Sequence, residues 1–128
     1  MSMFHYYNFP HSEIFIFDDF LINQIKEGVV IEPKHNEDLR KIIDLHFLNK
    51  NVVYISNRFF SYAVDPLTYL ETSKIHNLIA IAIVADENIK ISNAKLESRF
   101  YKKKFEVFET LSEAMVWVKI QLDESVRP

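Results

Sequence analysis

The longest uninterrupted run of apolar residues in the chain is Leu78–Ala85. A strand with one solvated face alternates apolar and polar residues, whereas this run has no polar position. Such a run is typical of a strand that is covered on both faces in a parallel α/β sheet. It is too short to form a helix alone, and the polar residues Asn77 and Asp86 bound it. The pattern therefore predicts an interior strand with helices on both sides of its sheet.

Shorter apolar segments predict the remaining strands. The segments with high β propensity are residues 13–17, 20–25, 52–56 and 105–108. Asp18 and Asp19 predict a tight hairpin turn between the first two strands. Gly28, the only glycine, indicates a bulge or a positive φ angle. The residues from Phe4 to Phe9 are rich in aromatic side chains and are predicted to pack, either on the edge of their own sheet or on a second copy in a homodimer.

Helical periodicity separates most of these strands. The predicted helices are residues 33–48, 66–75, 88–101 and 111–122. Their predicted inward positions are Leu39, Ile42, Ile43, His46 and Phe47 in the first helix, Leu67, Leu70 and Ile75 in the second, Ile89, Leu96 and Phe100 in the third, and Leu111, Ala114, Met115, Val118 and Leu122 in the last. Thr110 and Glu113 form a capping box before the last helix. The elements predict a single domain, residues 1–128, of the α/β class. Its sheet is mixed, mostly parallel and four- to five-stranded, with helices on both faces.

Composition narrows the possible functions. The formal net charge of −3 argues against general attraction to nucleic acid or anionic membrane. The chain has no cysteine, which excludes disulfides and thiol catalysis and favours a cytoplasmic location. One glycine cannot build a glycine-rich phosphate loop, and no cofactor is predicted. The chain starts without the pattern of a signal peptide, and its longest apolar run is too short for a membrane span.

The order of the elements resembles that of the STAS domain (sulfate transporter and anti-sigma factor antagonist), in its SpoIIAA-like branch. The stretches that carry the resemblance are Asn51-Val52-Val53-Tyr54-Ile55-Ser56-Asn57-Arg58, Leu78-Ile79-Ala80-Ile81-Ala82-Ile83-Val84, and Lys104-Phe105-Glu106-Val107-Phe108 followed by Leu111-Ser112-Glu113-Ala114-Met115-Val116-Trp117-Val118. The resemblance covers the chain from about Phe15 to Leu122 and implies a small cytoplasmic module that acts through protein partners without catalysis. A relation by fold to lipid-carrying CRAL-TRIO domains implies an alternative, a carrier or sensor of a small apolar, lipid-like ligand.

In antagonist members of the resembled family, a phosphorylated serine caps the helix that follows the third strand. Asp65 occupies the corresponding place here, and Ser61 is the nearest hydroxyl group. The carboxylate of Asp65 is suited to capping the helix but cannot be phosphorylated like a serine. A phosphorylation switch at this cap is therefore not expected.

The loop Asn57–Asp65 is the best candidate binding site. It follows the carboxyl end of a predicted parallel strand, where ligands gather in open α/β sheets. The candidate binding residues are Arg58, Phe59, Phe60, Ser61, Tyr62 and Asp65, which include residue types that are common at binding hot spots. A plainer alternative is that two of the three aromatic side chains only cover the sheet edge. The loop has no base to activate Ser61, so nucleophilic catalysis is not predicted.

The predicted function is accordingly a non-enzymatic regulatory protein-binding module that acts through this loop. Other candidate chemistry is weaker. The five histidines form no pair at helical spacing, so no metal site is predicted, and His46 is interpreted as a hydrogen-bonded core histidine. Lys102–Lys104 are interpreted as a solvated helix end, since the acidic chain does not favour a nucleic-acid partner.

Overall fold

The computed structural model of the chain describes residues 5–60 and 62–126. Its strands are β1 (His5–Asn8), β2 (Ser12–Ile16), β3 (Phe20–Ile25), β4 (Val30–Ile31), β5 (Val52–Asn57), β6 (Ala63–Val64), β7 (Leu78–Val84) and β8 (Lys104–Phe108). Its helices are α1 (Asn36–His46), α2 (Leu67–Thr72), α3 (Asn88–Glu97) and α4 (Leu111–Ser125), with single 3-10 turns at Pro33–His35 and Ser98–Phe100.

The main sheet is mixed and has six strands in the order β1-β2-β3-β5-β7-β8. The first three strands pair antiparallel, and β3, β5, β7 and β8 pair parallel. A small parallel pair of β4 and β6 lies apart from it. The mixed α/β class is confirmed, but the predicted count of four to five strands was wrong. The additional strand is β1, which extends the antiparallel edge by pairing with β2.

The aromatic segment before Pro10 packs on its own sheet. Tyr7 and Phe9 lie against the core, and Tyr6 contacts the ring of Phe15 across the β1–β2 pair. This is the first of the two predicted arrangements for that segment, and Phe4 lies outside the described residues. The homodimer stays a prediction.

The helices are distributed unequally over the two faces of the sheet. The strand order advances in one direction from β3 to β8, and parallel crossovers share one hand. The helices α1, α2 and α3 therefore pack on one face, whose core includes Leu39, Tyr69 and Ala94. Of the helices in residues 5–60 and 62–126, only α4 packs on the other face, where Ala114 and Val118 cover β5 and β7. Helices on both faces are thus confirmed, with three on one side and one on the other.

The predicted interior strand is β7, which pairs with both β5 and β8. Six of its seven residues are buried, as the unbroken apolar run predicts. Other local predictions are also confirmed. Gly28 has a φ angle of +74°, and the Thr110 side chain accepts a hydrogen bond from the backbone N–H of Glu113 at 3.2 Å. The apolar stripe of α1 is buried at Leu39, Ile42 and Ile43.

The buried faces of α2 and α3 differ from the predicted ones. Leu67, Ile89 and Leu96 are exposed, as are Phe100 beyond the end of α3 and Leu111 at the start of α4. Ile75, after the end of α2, is buried as predicted. The buried residues of these two helices are instead Thr68, Tyr69, Thr72, Ala94 and Glu97. These polar side chains tolerate burial because each has hydrogen-bond partners in other elements. For example, Thr72 donates to the side-chain oxygen of Asn36 at 2.6 Å.

Candidate functional site

The candidate loop is shorter than its predicted span. Strand β5 continues through Asn57, and Ala63–Val64 forms β6, so that residues 58–62 remain between the two strands. The backbone N–H of Arg58 donates to the carbonyl oxygen of Val84 at 2.9 Å, which joins the start of the loop to the end of β7. The loop therefore lies at the carboxyl ends of two neighbouring parallel strands, as predicted. Ser61 lies outside the described residues.

Arg58 is buried rather than placed at an exposed rim. Its side chain is 5% exposed and forms a two-point ion pair with Glu97 on α3. Arg58 Nη1 donates to Glu97 Oε2 at 3.1 Å, and Arg58 Nη2 donates to Glu97 Oε1. The hydroxyl of Tyr69 donates to the same carboxylate at 2.6 Å. This geometry makes Arg58 a residue that anchors the loop to α3 and α2.

Several buried groups around this ion pair have shifted pKa values. Burial opposes the charge of Arg58, but the neighbouring Tyr62 and the hydrogen bond to Glu97 outweigh it and raise the pKa of Arg58. Burial, and next the negative charge of Glu97, raise the pKa of Tyr69 well above its usual value. Burial also raises the pKa of Tyr62, although Arg58 opposes this shift. The tyrosines are therefore neutral and the arginine is charged at neutral pH.

A second contact from α3 holds the backbone of the loop. Lys90 Nζ donates to the carbonyl oxygens of Arg58 and Phe59, each at 3.2 Å. Lys90 and Glu97 are seven residues apart, about two helical turns, so they project from the same face of α3. Helix α3 thus fixes the loop at two points.

The other candidate residues divide into buried and displayed side chains. Tyr62 is half-buried, with its hydroxyl 2.8 Å from Ser56 Oγ and its ring 5.0 Å from the guanidinium carbon of Arg58. The carboxylate of Asp65 accepts a hydrogen bond from the backbone N–H of Leu67 at 3.1 Å, at the start of α2. Phe59 is 70% exposed, and its ring meets that of Phe60 edge to face at 5.0 Å. The alternative in which the aromatic residues only cover the sheet edge therefore fits Tyr62 better than Phe59.

Three residues of this site were not predicted from the sequence: Lys90, Glu97 and Ile89. Ile89 lines a surface depression together with Phe60. Glu97 carried one usable signal. It lies three residues after Ala94 and four before Tyr101, and both of these residues are buried. A carboxylate on a buried stripe requires a cationic or hydrogen-bonding partner, and Arg58 supplies both.

A second polar group lies on the same face of the sheet, beneath α1 and α2. The side-chain amide of Asn23 donates to the hydroxyl of Tyr54 at 2.7 Å. Burial raises the pKa of Tyr54, although the hydrogen bond from Asn23 opposes the shift. Neither residue was singled out from the sequence, because Asn23 is one of two adjacent polar residues in β3 and Tyr54 has ordinary β propensity.

His46 and His11 are the histidines with shifted pKa values. His46 is hydrogen-bonded to the hydroxyl of Tyr7, as predicted for a structural histidine, but it is half-buried rather than fully in the core. Burial lowers the pKa of His46, and so does the charge of His5. At His11, burial and the nearby His35 lower the pKa, whereas Asp38, whose carboxylate is 3.9 Å away, opposes the shift.

The depressed pKa of His11 should make the fold less stable in mild acid. Below its ordinary pKa of about 6.5, His11 takes up a proton more readily in the unfolded chain than in the folded one. Stability is therefore expected to fall as the pH drops through about 6.5 towards the lower folded pKa of His11. Urea unfolding at about pH 7.5 and about pH 5.5 measures this loss. His11→Gln should reduce this loss of stability. His76→Gln, which changes an exposed histidine, should not. Equal pH dependence of stability in the wild type and both variants would contradict the role given to His11.

Two structural features are absent from the part of the chain that the structure describes. Within residues 5–60 and 62–126, no group of three or more His, Asp or Glu side chains is placed to hold a metal ion. No helix in this part of the chain is both long and apolar enough to cross a membrane.

The arrangement of strands and helices defines the class of this protein as an α/β domain with a SpoIIAA-like fold. A solved structure with that fold, an uncharacterized protein of the DUF3478 family from Shewanella loihica PV-4, aligns with a TM-score of 0.59. The alignment covers 92% of this chain and 98% of that chain at 14% sequence identity, a level that shows the fold alone. No protein-family model matches the chain. No curated protein matches it either. The fold that the sequence resemblance implied is confirmed by this structural match.

Proposed function

We propose that this protein is a non-enzymatic regulatory protein-binding module of STAS type that acts through the loop Asn57–Asp65. The main support for this proposal is Phe59, whose side chain is 70% exposed although α3 holds its backbone in place. A large apolar side chain costs free energy when it faces water, and binding to a partner recovers that energy. Phe60 and Ile89 extend the apolar surface beside it.

The clamped backbone strengthens this interpretation. Lys90 holds the carbonyl groups of Arg58 and Phe59, and the Arg58–Glu97 ion pair holds the start of the loop. Backbone that is already held in place loses little conformational freedom when a partner binds. The exposed Phe59 on this backbone has the character of a binding anchor that inserts into a pocket of the partner protein.

A binding role suits these groups better than catalysis. In the described part of the loop, Arg58 is engaged in the ion pair with Glu97, and the hydroxyl of Tyr62 is hydrogen-bonded to Ser56. A catalytic site needs a nucleophile or a base with access to substrate. We also propose the cytoplasm as the compartment, since the chain contains no cysteine.

The alternative function, a carrier or sensor of a small apolar ligand, would use the open groove of about 700 Å³ beside α4, which Phe20, Met115 and Leu122 line in part, and not the cavity beneath α1 and α2. The cavity between the sheet and helices α1 and α2 has a volume of about 50 Å³. Pockets for drug-sized or lipid-like ligands are larger, on the order of 300–1,000 Å³, and are lined mostly by apolar groups. At about 50 Å³, this cavity is too small for such a ligand.

Replacing Phe59 with alanine should weaken partner binding by about 1–4 kcal/mol and leave the melting temperature nearly unchanged, because the side chain is an exposed anchor. Leu45→Ala is the matched control, since Leu45 is also 70% exposed but lies on α1, away from the loop. Tagged wild-type and variant chains would be used to capture partners from the source cell, and the affinity of each purified partner would then be measured.

The proposal requires a partner that binds the wild type and Leu45→Ala but is lost or weakened with Phe59→Ala. A partner that binds all three chains equally places the binding surface elsewhere. A chain that retains additional small-molecule mass in native mass spectrometry, and no protein partner, supports the carrier instead.

A further inference from the structure

We infer that the outer face of α3 is the surface through which two copies of this protein associate, with their α3 helices packed antiparallel. Four residues form this face, which we call the α3 stripe: Ile89, Asn93, Leu96 and Phe100. The α3 stripe differs from the amino-terminal aromatic segment, which packs on its own sheet. It adjoins the candidate loop, because Ile89 and Phe60 line one depression, but the inference does not rest on the function proposed for that loop.

The apolar residues of the α3 stripe are exposed in the single chain. Ile89 is 65% exposed, Leu96 is 55% exposed and Phe100 is 36% exposed. Scattered apolar residues are ordinary on protein surfaces, but these three share one side of a helix and of the turn that continues it. The buried residues of α3 are Ala94 and Glu97, on its opposite side. A continuous apolar face of this kind is typical of an interaction surface.

The spacing of the α3 stripe is that of a seam between two helices. Its positions follow one another at intervals of four, three and four residues, which is the alternation of the a and d positions in paired helices. Side chains at these intervals fit between those of a facing helix. Asn93 is the polar position of the seam, and a single polar residue there favours one register and lowers the affinity.

The charges at the two ends of α3 favour a second copy, turned end for end, as the occupant. Asp86 and Glu87 precede the helix, whereas Lys95 lies in its last turn and Arg99 lies just beyond it. Asp86 and Arg99 are exposed and have no ion-pair partner among the described residues. An antiparallel pair places the acidic end of each helix beside the basic end of the other, and a parallel pair would place like charges together.

Turning the α3 stripe end for end matches its first position with its last. Ile89 of one copy then lies beside Phe100 of the other, and Leu96 lies beside Asn93. The contact spans about three helical turns, so the interface is small and the dimer is weak, in the micromolar range. At low micromolar concentrations such a dimer is mostly dissociated and adds little to the stability of each copy.

Sedimentation velocity of the full chain measures the association. Between about 5 µM and about 500 µM, the average mass should rise from that of a monomer towards that of a dimer. Leu96→Asp places a carboxylate in each half of the seam and should raise the dissociation constant of the dimer more than about tenfold. Leu45→Asp is the matched control, because Leu45 is 70% exposed on α1. It should leave this constant within about twofold of the wild type.

Single cysteines determine the orientation of the two helices, because the chain has none of its own. Ile89 and Phe100 lie about 16 Å apart along the helix, so a disulfide between copies shows which of these positions face each other. In a mixture of the two variants, mild oxidation should join Ile89→Cys chains to Phe100→Cys chains. It should not join Ile89→Cys chains to one another. The intact mass of each covalent dimer identifies the chains that are joined.

Three results overturn the inference. The first is a chain that stays monomeric over the whole concentration range, including one whose α3 stripe binds a helix of a different protein instead. The second is equal dimerisation of the wild type and Leu96→Asp, which places the interface elsewhere. The third is a disulfide between two Ile89→Cys chains, which shows a parallel pair. Phe59→Ala tests partner capture by the loop and not sedimentation, so the two proposals can fail separately.

Discussion

Replacing Glu97 with alanine should lower the free energy of unfolding by about 3–5 kcal/mol, because it leaves Arg58 charged and buried without its partner. Arg58 is 5% exposed, and both carboxylate oxygens of Glu97 accept hydrogen bonds from its guanidinium group. A loss of this size is a large part of the stability of a single domain. Urea denaturation followed by circular dichroism measures it.

A surface ion pair provides the control for this measurement. Lys74 Nζ and Glu71 Oε1 lie 3.0 Å apart at the end of α2, with both side chains well exposed. Glu71→Ala should therefore cost less than about 1 kcal/mol. If Glu97→Ala lowers the free energy of unfolding no more than Glu71→Ala does, the buried ion pair does not hold the loop as described.

The double variant Arg58→Met with Glu97→Leu shows why Glu97→Ala loses stability. It distinguishes the cost of leaving a buried charge unpaired from the loss of the attraction between the two charges. Replacing a buried ion pair by apolar side chains of similar volume is often neutral or stabilising, in the range of about 1–4 kcal/mol. The double variant should thus regain most of the stability that Glu97→Ala loses. Equal instability of the two proteins would mean that the attraction between the charges is itself required.

Replacing Ile81 with aspartate should prevent folding. Ile81 is 1% exposed at the middle of β7, and it packs in the core that α1, α2 and α3 cover. An unpaired carboxylate there costs several kcal/mol, which is on the order of the whole stability of the domain. The variant is expected to be insoluble or to lack a cooperative thermal transition.

Ile89→Asp is the matched substitution for this second experiment. Ile89 is 65% exposed on α3, so the same chemical change there places the new carboxylate in water. It should leave the melting temperature nearly unchanged. A soluble Ile81→Asp protein that melts like the wild type would contradict the interior position of β7.

The predictions from sequence succeeded where a signal is local and failed where it depends on distant residues. The apolar run at Leu78–Ala85, the capping box at Thr110 and the turn at Gly28 each follow from a few consecutive residues, and each was predicted. The buried faces of α2 and α3 were not predicted. The burial of Glu97 depends on Arg58, which is 39 residues away in the chain. Periodicity detects apolar stripes and cannot show that a distant arginine makes a buried glutamate acceptable.

The candidate site was located by topology, but the role of its residues was not. A loop after β5 had to lie at the carboxyl edge of the parallel sheet, whichever side chains it carried. Which of Arg58, Phe59 and Tyr62 face water depends on α3, whose orientation the sequence pattern predicted incorrectly. For the same reason the cavity beside Asn23 was missed, since its walls come from both sheets and from two helices.

From the unequal distribution of helices we expect the two faces of the sheet to differ in how they unfold locally. The core beneath α1, α2 and α3 is closed by three helices from three crossovers, so no single element can leave without opposition from its neighbours. On the other face, α4 alone covers Val53, Ile55, Ala80 and Ala82. Detachment of this one helix exposes that whole core to solvent while the ladder of backbone hydrogen bonds in the sheet stays intact. Helix α4 is therefore the element whose amide protons have an independent route to hydrogen exchange by local unfolding, without separation of the strands.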